Sequence, residues 1–257
     1  MSARPLPHEI HPRPPALGLV VLQADETIEA DMRRLLPPVD EGGADLLVTR
    51  VPSGREVTRE TLAAMEGEIT AACRLFPAGR PLAAVGYGCT SGTAVIGAER
   101  VAALVRAGVE AAHVTEPVSA LVARCRERGV RRLAFVSPYT EPVSRALRAV
   151  LEGHGLEIAR FASFDVAEEA RVARIDTASV IAAARSVVAD GRDGAVDAVF
   201  LSCTNLRTLP AIAALDLGVP VWSSNTVLAW HLGRLSGARL SDAAPSDAVR
   251  GLAPTVS

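Results

Sequence analysis

The sequence contains no lysine: all 27 of its basic residues are arginine. Pyridoxal-phosphate enzymes and Schiff-base aldolases require a lysine amine, and the phosphate-binding loop of nucleotide hydrolases normally uses one as well. The chain also lacks an apolar run of about 18 residues, the length that a membrane-spanning helix needs. These absences exclude several enzyme classes in their ordinary form, and they predict a cytoplasmic protein without a membrane partner.

Charge and metal-ligand patterns exclude further classes. The formal net charge is −2 and charged residues are interspersed, so the sequence predicts no nucleic-acid partner. The four cysteines form no C-x-x-C pair and the five histidines are widely scattered, so we expect no metal site. The Pro- and His-rich residues 1–15 are expected to form a flexible tail without a secretory signal. Because no secretion is expected, we also expect the thiols to be reduced and therefore available as acids, bases or nucleophiles.

Apolar runs bounded by Gly, Pro or small polar residues alternate with amphipathic stretches, the pattern of strands feeding helices in a parallel sheet. The sequence therefore predicts an α/β fold. Strands are predicted at 16–23, 45–51, 83–87, 111–114, 132–136, 156–163, 198–201 and 219–222, and helices at 27–36, 58–76, 97–107, 117–128, 141–154, 176–189, 206–215 and 224–235.

An internal repeat is visible in this pattern. In each half a strand leads through a loop to a threonine that opens a helix, Thr27 or Thr140; a later strand ends at a cysteine, Cys89 or Cys203, 62 or 63 residues further on. Two accidentally similar βα units would be the alternative. Two lobes related by an approximate two-fold axis would place both cysteines in one cleft, outside the carboxyl ends of the strands. The predicted lobes are residues 16–115 plus 223–257, and residues 116–222.

The glycine-rich segment Gly86–Thr93 places Cys89, Thr90 and Ser91 where a strand turns into a helical pattern. Backbone N–H groups in such a turn bind anions, so we expect Thr90 and Ser91 to contact a substrate carboxylate. The glycine spacing does not fit a dinucleotide-binding loop. A helix N-terminus also favours the thiolate, so the position predicts a pKa of Cys89 below the free-thiol value of about 8.5.

The segment around Cys203 repeats this arrangement, with Thr204 and Asn205 able to cap a helix or bind a carboxylate. A single cysteine at the end of a buried strand is more often a core residue, but two at matched positions favour function. By contrast, Cys73 and Cys125 lie in helical patterns and are expected to be packing residues. A pair of thiols suits racemisation, or cis–trans isomerisation by reversible addition to a double bond, and needs no cofactor.

Three separated motifs carry a family resemblance: Gly88–Thr90, Ser202–Asn205 and Val136–Tyr139. With them the chain resembles the aspartate/glutamate racemase superfamily, and within it the branch of maleate cis–trans isomerases and arylmalonate decarboxylases. The resemblance implies two Rossmann-like lobes with parallel sheets, an active site in the cleft between them, and a small carboxylate substrate. It also implies a homo-oligomer, since superfamily relatives are commonly dimers or tetramers.

The resemblance assigns roles residue by residue. It implies that Cys89 and Cys203 are the two catalytic cysteines and that Tyr139 contacts a substrate carboxylate. Decarboxylases of this branch keep only the second cysteine, so Cys89 argues against decarboxylation. A maleate-type isomerase is therefore expected first, with an amino-acid racemase as the alternative. A two-lobed binding protein without catalysis is the candidate from another class.

One position departs from the family pattern. Where maleate isomerases carry a substrate-binding asparagine, this chain has Asp25, which would repel a dicarboxylate and favour an ammonium or amidinium group, or would simply cap a helix. The segment Gln23–Thr27 also resembles a branch found with ectoine-degradation genes. Arg55 could bind a substrate carboxylate through two hydrogen bonds or lie on the surface. Asn225 could bind substrate or cap a helix.

Overall fold

Eight strands form two separate parallel sheets with the same topology. The first sheet has the order β2-β1-β3-β4 and the second the order β6-β5-β7-β8. Both sheets thus place the second strand at one edge, followed by the first, third and fourth strands of the same half, which confirms the repeat. The strands are β1 Ala16–Leu22, β2 Leu46–Val51, β3 Leu82–Gly88, β4 Ala111–Thr115, β5 Arg132–Ser137, β6 Glu157–Ser163, β7 Ala198–Leu201 and β8 Val221–Ser223.

The structure is a computed structural model that describes residues 6–10, 16–189 and 194–241. Of the predicted tail, only residues 6–10 are described, and they form neither helix nor strand. Residues 242–257 of the predicted first lobe lie outside the described residues. Within the described ranges, no helix has the length and apolar character that crossing a bilayer requires.

Helices connect the strands in both halves, as expected for an α/β fold. They are α1 Ile28–Leu35, α2 Arg59–Ala64, α3 Glu66–Cys73, α4 Thr90–Ile96, α5 Ala98–Gly108, α6 Pro117–Arg128, α7 Glu141–Gly153, α8 Glu169–Val172, α9 Thr177–Ala189, α10 Leu209–Ala213 and α11 Ser224–Ser236, with a 3₁₀ turn at Val39–Glu41.

Two of the predicted helices are wrong in extent. The single helix expected at 58–76 is two helices, α2 and α3, that meet at Met65. The helix expected at 206–215 is confined to α10, because Pro210 lies in its first turn and the preceding residues form a loop. Helix α8 was not expected, and the helical pattern expected after Cys89 was placed only from residue 97, whereas α4 begins at Thr90. Both of these helices begin at residues of the site described below.

The central strands are buried because helices cover both faces of each sheet. Every residue of β1 and of β7 is buried, which explains why these segments are continuous apolar runs rather than alternating patterns. Cys73 in α3 and Cys125 in α6 are fully buried in hydrophobic clusters, consistent with packing roles.

Two helices cross between the halves. Helix α6 follows the first sheet but packs its Leu121 and Cys125 with Phe135 and Phe200 of the second sheet. Helix α11 follows the second sheet but packs Leu228 and related residues against β1, β3 and α1 of the first. These contacts favour the division at residues 115 and 222, which stays a prediction.

Candidate active site

Cys89 follows β3 and caps α4. Its Sγ accepts a hydrogen bond from the backbone N–H of Gly92 at 3.1 Å. A side chain at position 92 would not fit, because its Cβ would lie 2.8 Å from Sγ of Cys89 and 2.9 Å from Met65. Gly92 therefore allows the helix to begin directly against the sulfur atom.

Cys203 follows β7 in a strained conformation. Its φ of +93° lies in a region that residues with a Cβ rarely adopt, so the surrounding structure must hold it there. Sγ of Cys203 accepts from the N–H of Asn205 at 3.3 Å and lies 2.9 Å from the hydroxyl oxygen of Tyr139. The strain thus turns the thiol toward Tyr139.

Hydrogen bonds between the halves bring the two cysteine segments together. The hydroxyl of Thr204 donates to the carbonyl of Gly88 at 3.1 Å, so the residue after one cysteine contacts the residue before the other. Oγ of Ser224 accepts from the hydroxyl of Thr90 at 2.8 Å and from the N–H of Cys203 at 3.0 Å. The predicted site residues Thr90 and Thr204 therefore lie at the junction of the lobes.

Glu169, the first residue of α8, is a member of this site that the sequence reasoning missed. The hydroxyl of Tyr139 donates to its Oε2 at 2.8 Å, and the amide of Asn205 donates to its Oε1 at 3.1 Å. Burial raises the pKa of Glu169 to about 7; these two donors oppose the shift, and the charge of Asp25 adds to it. The repeat held a signal, since Glu169 and Arg55 follow equivalent edge strands.

These contacts fix the direction of the hydroxyl proton of Tyr139. Tyrosine has a single hydroxyl hydrogen, and an ionised Glu169 can only accept it. The 2.9 Å contact between Tyr139 and Cys203 must then be donated by the thiol. An ionised Glu169 therefore favours the protonated form of Cys203.

Asp25 serves the fold with only one of its two oxygen atoms. Oδ1 accepts from the N–H groups of Thr27 and Ile28, both at 2.8 Å, so Asp25 caps the first turn of α1. Oδ2 is buried and accepts no hydrogen bond of good geometry. Burial raises the pKa of Asp25, while the two N–H groups, the Thr204 hydroxyl and Arg50 oppose the rise. Asp25 and Tyr139 are 114 residues apart, as are the two cysteines.

The thiol of Cys89 has a higher pKa than the sequence predicted. Burial raises the pKa of Cys89 to about 12; the N–H of Gly92 lowers it, but the charges of Glu169 and Asp25 raise it further. The expectation of a lowered pKa is therefore wrong for this structure, because desolvation exceeds the effect of the helix terminus. Burial and the same two carboxyl groups also raise the pKa of Cys203. Both thiols thus lie in the field of Glu169 and Asp25.

The remaining predicted site residues are divided between the site and the surface. The amide of Asn225 donates to Asp31 and to the carbonyl of Thr204, both at 2.8 Å, and thereby supports the Cys203 loop. Ser91 is buried in α4 beside Cys89. The side chain of Arg55 is 85% exposed and lies 3.6 Å from Glu168, so the structure does not bring it together with the cysteines.

A short backbone strap joins the two halves next to Glu169 of the site. Glu56 of the first half pairs with Glu168 of the second in an isolated antiparallel bridge, flanked by backbone hydrogen bonds of 2.8 and 3.2 Å. Cys89 is only 6% exposed and Cys203 only 3%, so both thiols are nearly closed off from solvent. Substrate can reach them only if part of the surrounding structure moves, and we expect the strap to be the segment that opens.

Metal-ligating side chains do not cluster in the described ranges: no group of three or more His, Cys, Asp or Glu residues could hold a metal ion there. A surface cavity of about 620 Å³ is lined by Arg128 and by residues between Ile212 and Val221. It contains no side chain of the cysteine site.

The fold and the site define a two-lobed α/β protein with a buried thiol at the carboxyl end of a central strand in each lobe. The family model of arylmalonate decarboxylase matches residues 49–247. The chain belongs to this family, which is maleate isomerase-like and arylmalonate decarboxylase-like in its known members.

Three similar proteins illustrate the relationship. A maleate isomerase of Nocardia farcinica is 30% identical over 228 residues, covering 85% of this chain and 88% of its own length. An arylmalonate decarboxylase of Bordetella bronchiseptica is 32% identical, covering 87% of this chain and 91% of its own. The solved structure of a Nocardia farcinica maleate cis–trans isomerase mutant with a covalently bound succinylcysteine intermediate has a TM-score of 0.76 at 27% identity, covering 91% of this chain and 98% of its own.

Proposed function

We propose that this protein is a cofactor-independent isomerase of a small carboxylic acid that uses Cys89 and Cys203 as a catalytic pair. The observation that carries the proposal is that the two cysteine segments, one from each lobe, are joined by hydrogen bonds through Thr204 and Ser224. The similar maleate isomerases and their covalent cysteine intermediate support this reaction class.

The surroundings of the two thiols favour different roles. Both sulfur atoms accept a backbone N–H, but Cys203 also contacts the hydroxyl of Tyr139, to which it must donate while Glu169 is ionised, and this holds Cys203 as the thiol of the pair. In an isomerisation, the thiolate of Cys89 would bond to one alkene carbon while the thiol of Cys203 gives its proton to the other. Rotation about the new single bond, return of the proton to Cys203 and cleavage of the C–S bond would yield the trans isomer.

Racemisation of an amino acid is the second candidate, and Asp25 is the observation that favours it. A buried carboxyl group beside both thiols suits an ammonium-bearing substrate better than a dicarboxylate. Here one cysteine would remove the α-proton and the other would return a proton to the opposite face. The resemblance of Gln23–Thr27 to the ectoine-degradation branch remains a prediction that points to the same class.

Proton NMR in heavy water distinguishes these reactions. Maleate would be converted to fumarate by an isomerase, whereas a racemase would replace the α-proton of aspartate or another amino acid by deuterium. We expect Cys89→Ser and Cys203→Ser each to lower turnover by about 10²- to 10⁴-fold, the usual contribution of a positioned acid or base. Substrate binding should persist in both variants, as thermal stabilisation would report.

The matched control is Cys73→Ala, which removes a thiol from α3 rather than from the site. Its turnover per folded molecule should equal that of the unmodified protein. Turnover that survives in Cys89→Ser and Cys203→Ser would refute the cysteine pair. Ligand binding without turnover by the unmodified protein would instead indicate a binding protein.

A further inference from the structure

We infer that the substrate carries a protonated amine or amidinium group in addition to its carboxylate, and that Asp25 and Glu169 bind this positive charge. The inference rests on the proposed function, because it concerns the substrate of the same cysteine site. It adds the charge of the substrate, which the reaction class leaves open.

One carboxylate oxygen of Asp25, Oδ2, has no role in holding the fold. Capping α1 requires one acceptor, and Oδ1 provides it by binding the N–H groups of Thr27 and Ile28. Asparagine caps helices about as well as aspartate, so the fold does not require a carboxylate here. A buried charge without a partner is destabilising and needs compensation. Oδ2 is buried and accepts no hydrogen bond of good geometry, since the nearby hydroxyl of Thr204 donates to the carbonyl of Gly88, and a ligand cation would supply a partner.

Glu169 likewise has no cationic partner among the residues that the structure describes. Its two oxygen atoms accept only from the neutral donors of Tyr139 and Asn205. In the part of the chain that the structure describes, no ion pair involves Asp25 or Glu169. Arg50 nearby donates to backbone carbonyls, including that of Asp25, and pairs with Glu29.

A cation at this place would also assist the chemistry. The charges of Asp25 and Glu169 both act on Cys89 and Cys203 and oppose ionisation of the thiols. A bound ammonium group would offset those charges, so arrival of the correct substrate would make the thiolate easier to form. A dicarboxylate would add negative charge and have the opposite effect. Charge recognition and activation of the thiols would thus be coupled.

Calorimetry with two probes of similar size tests the inference: maleate, and L-2,4-diaminobutyrate, which carries two ammonium groups. We expect the Kd of the diamino acid to be at least about tenfold lower than that of maleate, because its ammonium group can make charged hydrogen bonds in the buried site that maleate cannot make. Asp25→Asn and Glu169→Gln should each weaken the diamino acid by about tenfold without weakening maleate. Glu66→Gln is the matched control and should leave both affinities unchanged, because its side chain lies on the surface and pairs with Arg100.

Proton linkage provides a second readout near pH 7. The titratable groups that face Glu169 are Tyr139, Cys203, Cys89 and Asp25. A bound cation favours ionised carboxyl groups, so binding should release protons, whereas a bound dicarboxylate should take them up. Calorimetry in two buffers of different ionisation enthalpy measures the difference.

The outcomes separate this inference from the proposed function. If the diamino acid binds no more tightly than maleate, or if Asp25→Asn and Glu169→Gln bind it as well as the unmodified protein does, the inference is wrong, even when maleate is isomerised. If the diamino acid binds as expected but neither probe is turned over, the charge inference stands and the isomerase proposal for these substrates fails.

Discussion

The protonation state of Glu169 governs the hydrogen bonds around Cys203. While Glu169 is ionised, Tyr139 must donate to it and the thiol must donate to Tyr139. When Glu169 is protonated, the tyrosine hydroxyl becomes free to donate to sulfur instead. One carboxyl group therefore decides whether Cys203 is a proton donor or a hydrogen-bond acceptor.

Glu169 should also make the stability of the protein depend on pH. Its pKa is about 7 in the folded chain, against an ordinary value of 4.5, so the folded state binds more protons between these values. The free energy of unfolding should therefore fall as pH rises from 4.5 to 7, by up to about 3 kcal/mol from this group, and should not change further above it. Urea unfolding at pH 4.5, 5.5, 6.5 and 7.5 measures the slope.

The variant Glu169→Gln should remove this contribution; Asp31, whose pKa burial raises to about 6, still contributes a fall with pH, and His231, whose pKa burial lowers to about 4, contributes a rise over the same range in both proteins. The control is Glu168→Gln, which should reproduce the slope of the unmodified protein. An unchanged slope in Glu169→Gln would show that Glu169 does not titrate in this range.

At the scale of secondary structure, the start of α4 depends on the absence of a side chain at Gly92. Gly92→Ala would place a methyl group 2.8 Å from the sulfur of Cys89 and 3.0 Å from the hydroxyl of Tyr87, so either these side chains or the helix start must shift. We expect a loss of about 1–3 kcal/mol in unfolding free energy, as in other overpacked sites, and a large loss of turnover. Chemical denaturation and the NMR assay measure the two effects.

Gly67→Ala in α3 is the control for this substitution. A methyl group there meets no atom within 4 Å, so the replacement should stabilise the helix by about 0.5–1 kcal/mol and leave turnover unchanged. Equal stability and turnover in Gly92→Ala and the unmodified protein would contradict the proposed packing of Cys89.

The sequence predicted the elements better than the site. Apolar runs identified the eight strands, and the spacing of the cysteines identified the repeat, because both follow from local burial patterns. The predicted helix began only at residue 97 and left out α4, because the first turn of α4, Thr90 to Thr93, has low helix propensity. This turn forms by capping on Cys89. No local sequence pattern indicates Glu169 either, because its partners Tyr139 and Asn205 are 30 and 36 residues away in the sequence.

At the scale of the whole molecule, the strap between Glu56 and Glu168 allows access to be tested directly. The flanking hydrogen bonds are made by their neighbours, so the two residues form a non-hydrogen-bonded pair, in which Cα atoms lie about 4.5 Å apart. That separation suits a disulfide. The double variant Glu56→Cys, Glu168→Cys should lose turnover when oxidised and recover it on reduction, as the NMR assay would show.

Each single cysteine variant serves as a control and should be insensitive to oxidant under the same conditions. Full turnover by the oxidised double variant, with the disulfide verified by mass spectrometry, would mean that substrate reaches Cys89 and Cys203 without displacement of the strap.

The exchange of α6 and α11 between the halves has a consequence for how the duplicated chain can come apart. The first sheet is covered by α11, which follows the whole second half in the chain, so Leu17, Leu19 and their neighbours would face water in a fragment that ends at residue 115. We therefore expect that neither half folds alone, because each half contributes a helix that covers apolar residues of the other. Heat should therefore melt both halves in one cooperative transition, despite the apparent modularity of the repeat.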